Sequence, residues 1–272
     1  LLFSCEELTE SSDFLAFQFY MDEGWIAFQA DSMLIASDLF NTGLTLPGEN
    51  NYSEAYTGLG WTYMYNANST PGELSNSFRD SLRMLAKENF ITAIEINTFK
   101  LPRQVYADAL AGMAYVYSYL ADTSIASSFN NQYFDEIEYE QNLHNVLLLI
   151  DELIGEQYFD FGIDQIDNTF DEGEGNNQYD VGEYYSDTNI NDLYDLGFDL
   201  NYDFSYDQCV NSDNIKILRA KTYLRKGLSE FMLNELNSLS YNSCPEGMDL
   251  DSLEGGINCL SYLSHYLALC SY

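Results

Sequence analysis

Ser53-Glu-Ala-Tyr-Thr-Gly-Leu-Gly-Trp-Thr-Tyr-Met-Tyr65 aligns without a gap on Ala107-Asp-Ala-Leu-Ala-Gly-Met-Ala-Tyr-Val-Tyr-Ser-Tyr119. Ala55/Ala109, Gly58/Gly112, Gly60/Ala114, Trp61/Tyr115, Tyr63/Tyr117 and Tyr65/Tyr119 fall in register. Self-similarity of this kind marks a repeat architecture, in which one helical unit cannot bury its apolar face alone and stacks on copies of itself. Such arrays hold partners more often than they carry out chemistry.

The rest of the chain extends the helical reading. Phe14, Phe17, Tyr20, Met21, Gly24, Trp25 and Phe28 follow a 3/4 spacing, and a second helix is expected over 31–45, stopped by Pro47-Gly48. Further helices are expected at 53–65, 73–97, 104–120, 140–154, 213–226, 228–240 and 250–270. Between them, residues 155–212 are rich in Asp, Asn, Gly and Tyr and lose apolar periodicity. They read as a long acidic, irregular insertion with short strands or turns at Tyr158–Ile163 and Leu200–Tyr206.

The charge balance bounds the partners. The 272 residues hold 44 acids and 10 bases, a net charge of −34. A surface this negative repels nucleic acid and anionic lipid headgroups, attracts cations and basic partners, and suits a saline medium. The bases form two groups, Arg79 to Arg103 and Lys216 to Lys226, with no Lys or Arg over 104–215. That segregation predicts either pairing of basic helices with acidic loops or a local cationic patch. No apolar run approaches the roughly 18–20 residues that span a bilayer.

With Tyr20, Gly24, Ala36, Phe40, Gly43 and Pro47, the N-terminal unit resembles a tetratricopeptide repeat. Ala55, Tyr56, Leu59, Gly60 and Tyr63, followed by Ala86, Phe90 and Ala93, match a second unit displaced by an insertion over 66–80. Ala109, Leu110, Met113, Ala114 and Tyr117 match the first helix of a third, whose partner helix is not legible. Ala220, Tyr223, Met232, Leu236 and Leu239 match a degenerate last one. The resemblance covers 14–154 and 213–240, with three or four units. It implies an all-α, tetratricopeptide-like helical-repeat solenoid over 14–272. It also implies a ligand groove on the concave face of the first helices. Carried over, the groove positions are Trp25, Phe28, Trp61, Tyr65, Tyr115, Tyr119, Lys221 and Arg225. Such a row suits a protein or peptide partner with apolar side chains and an acidic end, or a sugar stacked on the rings. The competing reading is that these aromatics pack between helices.

Leu1-Leu-Phe-Ser-Cys5-Glu-Glu7 resembles the end of a bacterial lipoprotein signal peptide. The resemblance implies a signal remnant at 1–4, lipidation of Cys5, a polar tether over 5–13, and a place on the outer membrane or cell surface without a spanning helix. The acidic pair after Cys5 is similar to the surface-export signal of Bacteroidetes lipoproteins. Cys209, Cys244, Cys259 and Cys270 remain, an even number that permits two disulfides in three connectivities or buried free thiols.

Catalytic signatures are absent from the sequence. Gly58-Leu-Gly60 lacks the third glycine of a phosphate loop and lies within a helical pattern, so close packing explains it. His144 and His265 have no second ligand at metal spacing, and no nucleophile elbow occurs. The run from Asp171 to Asp180 places Asp171, Glu174, Asn176 and Asp180 as weak calcium ligands. It fails as an EF-hand loop because position twelve is Gly182. The chain therefore reads as a non-enzymatic binding scaffold with no cofactor beyond weak calcium binding. The alternative is a glycan- or nutrient-binding surface lipoprotein that partners an outer-membrane transporter.

Overall fold

The computed structural model describes residues 7–47, 52–68, 76–99, 103–121, 136–154, 212–239 and 252–267. Among these residues the protein is all-α, with helices α1 (Glu7–Gln29), α2 (Met33–Leu44), α3 (Tyr52–Asn68), α4 (Asn76–Ile96), α5 (Arg103–Leu120), α6 (Glu136–Ile154), α7 (Ser212–Arg225), α8 (Ser229–Asn237) and α9 (Leu253–Leu267). Each helix from α1 to α8 packs on the next. The odd-numbered helices α1, α3, α5 and α7 also touch in succession, and α9 lies against α7 and α8. None of the described helices is long and apolar enough to cross a membrane.

The tether expected over 5–13 is corrected from Glu7 onward, because α1 already includes those residues.

Burial follows one spacing in the even-numbered helices. Ala36, Phe40 and Gly43 in α2, Ala86, Phe90 and Ala93 in α4, and Val146, Ile150 and Leu153 in α6 are all buried at i, i+4, i+7. In α8, Met232 and Leu236 are buried at the same spacing and Leu239, just beyond the helix, packs against them.

The glycines explain why the larger of these residues fit. A Cβ on Gly24 would stand 2.6 Å from the Phe40 ring and one on Gly58 2.5 Å from its other side. Phe40 is thus a wedge between α1 and α3. Phe90 sits the same way between Gly60 of α3, where a Cβ would come within 2.5 Å, and Gly112 of α5. Real Cβ atoms do not approach so closely, so glycine is what lets each ring lie against two backbones. Gly58-Leu-Gly60 is therefore a packing device, with one glycine seating Phe40 and the other Phe90.

The α1–α2 and α7–α8 hairpins turn alike. Asp31, seven residues after Gly24, has φ of 56°. Gly227, seven residues after Ala220, has φ of 75°. In each, the residue's N–H bonds back three positions and the next N–H bonds back five, to Phe28 and Ala27 in one case and to Leu224 and Tyr223 in the other. This is a left-handed C-cap that closes the last turn of the helix. The Tyr65 hydroxyl donates to Asp31 Oδ1 at 2.7 Å, which supports the non-glycine residue in that conformation.

Two apolar clusters divide at α7. Ile215 and Leu218 join the large cluster that begins at Phe17, while Ile217 and Ala220 join Met232, Leu236, Cys259, Leu260 and Leu263. Cys259 is fully buried and disulfide-bonded.

Candidate functional site

The residues expected to line a groove form two sets of touching rings. Trp25 lies 5.7 Å from Phe28, and Phe28 lies 6.0 Å from Tyr65, linking α1 to α3. Trp61 lies 5.8 Å from Tyr115, linking α3 to α5. All three contacts are edge-to-face, the favourable geometry for aromatic quadrupoles.

The expectation that the indoles stand open is corrected. Trp25 is 8% and Trp61 7% exposed, and Phe28 and Tyr115 are buried with them. Each indole packs edge-on against the wedge of its own unit, Trp25 on Phe40 at 5.1 Å and Trp61 on Phe90 at 5.5 Å. The position after the small residue therefore serves the core between helices, and these four rings cannot stack on a ligand without moving. Burial raises the Tyr115 hydroxyl well above the ordinary phenol range, with Tyr119 adding to the effect.

Tyr65, Tyr119, Lys221 and Arg225 are only part-buried. Burial, followed by the neighbouring Asp31, pushes the Tyr65 hydroxyl up to about 12. Arg225 donates from Nη1 to the Ser118 carbonyl at 2.9 Å, beside Tyr119. Lys221 lies one turn earlier on the same helix. Cys5, Asp171, Glu174, Asn176 and Asp180 lie outside the described residues, as do the expected strands at 158–163 and 200–206. Among the described residues no group of three His, Cys, Asp or Glu side chains could hold a metal ion.

The structure brings to this edge two bases that the sequence reading grouped but did not place at the groove. The Arg83 guanidinium lies 4.8 Å from the Tyr119 ring centroid and Lys87 Nζ 4.9 Å from that of Tyr117. Arg83 is buried and also bonds Asp80 at 3.0 Å and Asn68 at 3.2 Å. With Arg225 on Ser118, the two basic groups of the sequence meet at the C-terminal end of α5. Their i, i+4, i+8 spacing (Arg79, Arg83, Lys87) was the available signal. Several of these scarce bases complete helix ends. Arg79 reaches the Ala67 carbonyl at 3.0 Å, Arg225 that of Ser118, and Lys216 that of Ser238 at 2.9 Å. Cations there satisfy carbonyls that the helix leaves open and oppose the negative end of its dipole.

A second charged centre lies in the core. Arg219 of α7 reaches Glu235 of α8 at 2.7 Å and Asp151 of α6 at 3.3 Å, all three almost fully buried. Burial opposes the Arg219 charge, but Glu235, Tyr223 and Asp151 outweigh it and hold the guanidinium above its ordinary range. Tyr223 is pushed up to about 12, by burial first and against the pull of Arg219. The group ties three helices together where the two apolar clusters meet.

Glu54, at the start of α3, accepts a hydrogen bond from Trp25 Nε1 at 3.2 Å. Burial pushes its carboxyl up to about 7; the Trp25 bond opposes this and Asp22 adds to it. The folded state thus binds this proton more tightly than the unfolded chain, so the contribution of Glu54 to stability is fully present below about pH 4.5 and is lost as pH rises through 7. Glu54→Gln is expected to remove this dependence and to stabilise the protein at pH 8 by about 1–2 kcal/mol after solvent screening, with little effect at pH 4.5. Urea titrations at the two pH values check it. Equal effects at both would show that Glu54 is not the titrating group.

Comparison with known proteins finds no match among family models, curated proteins or solved structures.

Proposed function

We propose that this chain is a tetratricopeptide-like helical-repeat scaffold that holds a protein or peptide partner, and that Cys5 anchors it through lipid at the outer membrane or cell surface. The observation that carries the repeat reading is the wedge of Phe40 and Phe90, each set between glycines of two successive odd-numbered helices. The matched spacing of Gly24, Asp31, Ala36 and Phe40 with Ala220, Gly227, Met232 and Leu236 supports four units. The third unit's second helix is then α6.

The binding edge in this reading runs along the C-terminal ends of the odd-numbered helices, with Tyr65, Tyr119, Lys221 and Arg225. Part-buried Tyr119 beside Arg83 and Arg225 suits a peptide segment with an apolar side chain and a carboxylate. The disulfide at Cys259 supports an exported protein, since such bonds persist in oxidising compartments.

Capture from native membranes tests the binding edge. Wild type should retain a protein that Tyr119→Ala with Arg225→Ala loses at least tenfold, with helical circular dichroism unchanged. Identical capture by both proteins would refute the edge. Retention of polysaccharide in place of protein would favour the glycan-binding alternative. Mass spectrometry of the precursor made in a bacterium should show lipid on Cys5, and an unmodified N-terminus would remove the anchor.

A further inference from the structure

On the helical-repeat reading, the odd-numbered helices share one face. Counted from the small residue, it comprises the positions five before, one before and two after. In α3 these are Ala55, Leu59 and Thr62, and in α5 Ala109, Met113 and Val116, all buried. In α7 they are Ile215, Arg219 and Thr222, again buried. Each of these helices receives the preceding even-numbered helix. In α7 the contact includes an ion pair, because Arg219 meets Asp151, which follows the large apolar residue Ile150 of α6.

In α1 the same positions are Phe19, Glu23 and Ile26. Phe19 is 56% and Ile26 51% exposed, and Leu15, one turn earlier, is 65% exposed. Glu23 is exposed between them. This is the face that every other unit covers with a helix, and it carries an acid where α7 carries the base of a cross-helix ion pair.

We propose that the outer face of α1 is a docking surface for an amphipathic helix of a partner protein. That helix presents a large apolar residue followed directly by Lys or Arg. The base meets Glu23 in the reversed sense of the Arg219–Asp151 pair, and the apolar stripe covers Phe19 and Ile26. Charge argues for a separate partner. Residues 1–78 and 227–272 contain no Lys or Arg. A second copy docked face to face would set Glu23 and Asp22 against their own kind, and one docked by its C-terminal helix would bring no base either. Like charges brought together at an interface suppress that pairing.

Synthetic peptides of the α4 sequence (Asn76–Ile96) serve as probes, because α4 is itself a covering helix with a large apolar residue, Phe90. One peptide carries Ile91→Lys and the other Ile91→Glu. Fluorescence anisotropy on the full chain should show the Lys peptide binding at least tenfold tighter. The Glu23→Lys protein should reverse that order, although its net charge changes little from −34. Phe19→Ser with Ile26→Ser should abolish binding of both peptides. Tyr119→Ala with Arg225→Ala should leave it intact, which separates this surface from the edge proposed above. An unchanged preference in Glu23→Lys, or unchanged binding to the Phe19/Ile26 variant, would overturn the proposal. So would a dimer of the wild-type chain that the Phe19/Ile26 variant dissolves, since the occupant would then be a second copy.

Discussion

Phe90→Ala is expected to lower the free energy of unfolding by about 3–5 kcal/mol, the range for removing a fully buried aromatic ring. Phe90 is fully buried, lies edge-on to Trp61 at 5.5 Å and fills the space between Gly60 and Gly112. The gap left cannot close easily, because the backbones on either side are held by α3 and α5. Urea unfolding followed by circular dichroism measures the loss. Phe99→Ala, at a side chain 85% exposed, should stay within about 0.5 kcal/mol and serves as control. A loss below about 1 kcal/mol at Phe90 would mean that the ring is not the wedge the geometry describes. Gly112→Val should also destabilise, since its side chain would need the space of the same ring.

Arg219→Met is expected to cost about 3–5 kcal/mol at neutral pH, the range for removing one partner from a buried ion pair. The substitution preserves most of the apolar bulk but leaves Asp151 and Glu235 buried without the guanidinium that joins them. Acidification should recover part of the loss in this variant, because a neutral carboxyl costs less to bury than a carboxylate. A variant as stable as the parent at pH 7 would show that the pairing is energetically idle. Replacing all three residues by apolar ones of similar volume should cost far less than the single change, because no buried charge would remain.

Much of the helix plan was legible because small and aromatic residues keep fixed offsets. Gly58 and Gly112 align in the sequence for the reason they align in space, since each lets a ring approach a backbone. The partner helix of the third unit escaped because Val146 and Ile150 replace the Ala-x3-Phe signature while keeping its spacing. Trp25 and Trp61 show what periodicity cannot give. It fixes the face a residue occupies but not the depth, and the residue after the small one lies on the border between groove and core. The Arg219 centre had no local signal beyond its place, with Lys216, among the apolar residues from Ile215 to Ala220. Its partners lie 68 and 16 positions away, and one acid among 44 does not stand out.

The wedges also bear on how this chain can change over time. Residues 45–51 separate α2 from α3, whereas 155–211 separate α6 from α7, yet α6 packs on α7 as α2 packs on α3. Among the described residues, the contacts that hold the stack run from helix to helix. Lengthening a connection costs slowly growing closure entropy, about 0.6 kcal/mol per doubling of loop length. Descendants of this protein can therefore acquire or discard whole segments between helices while the framework persists, and novelty should accumulate in those intervals long before it touches a wedge.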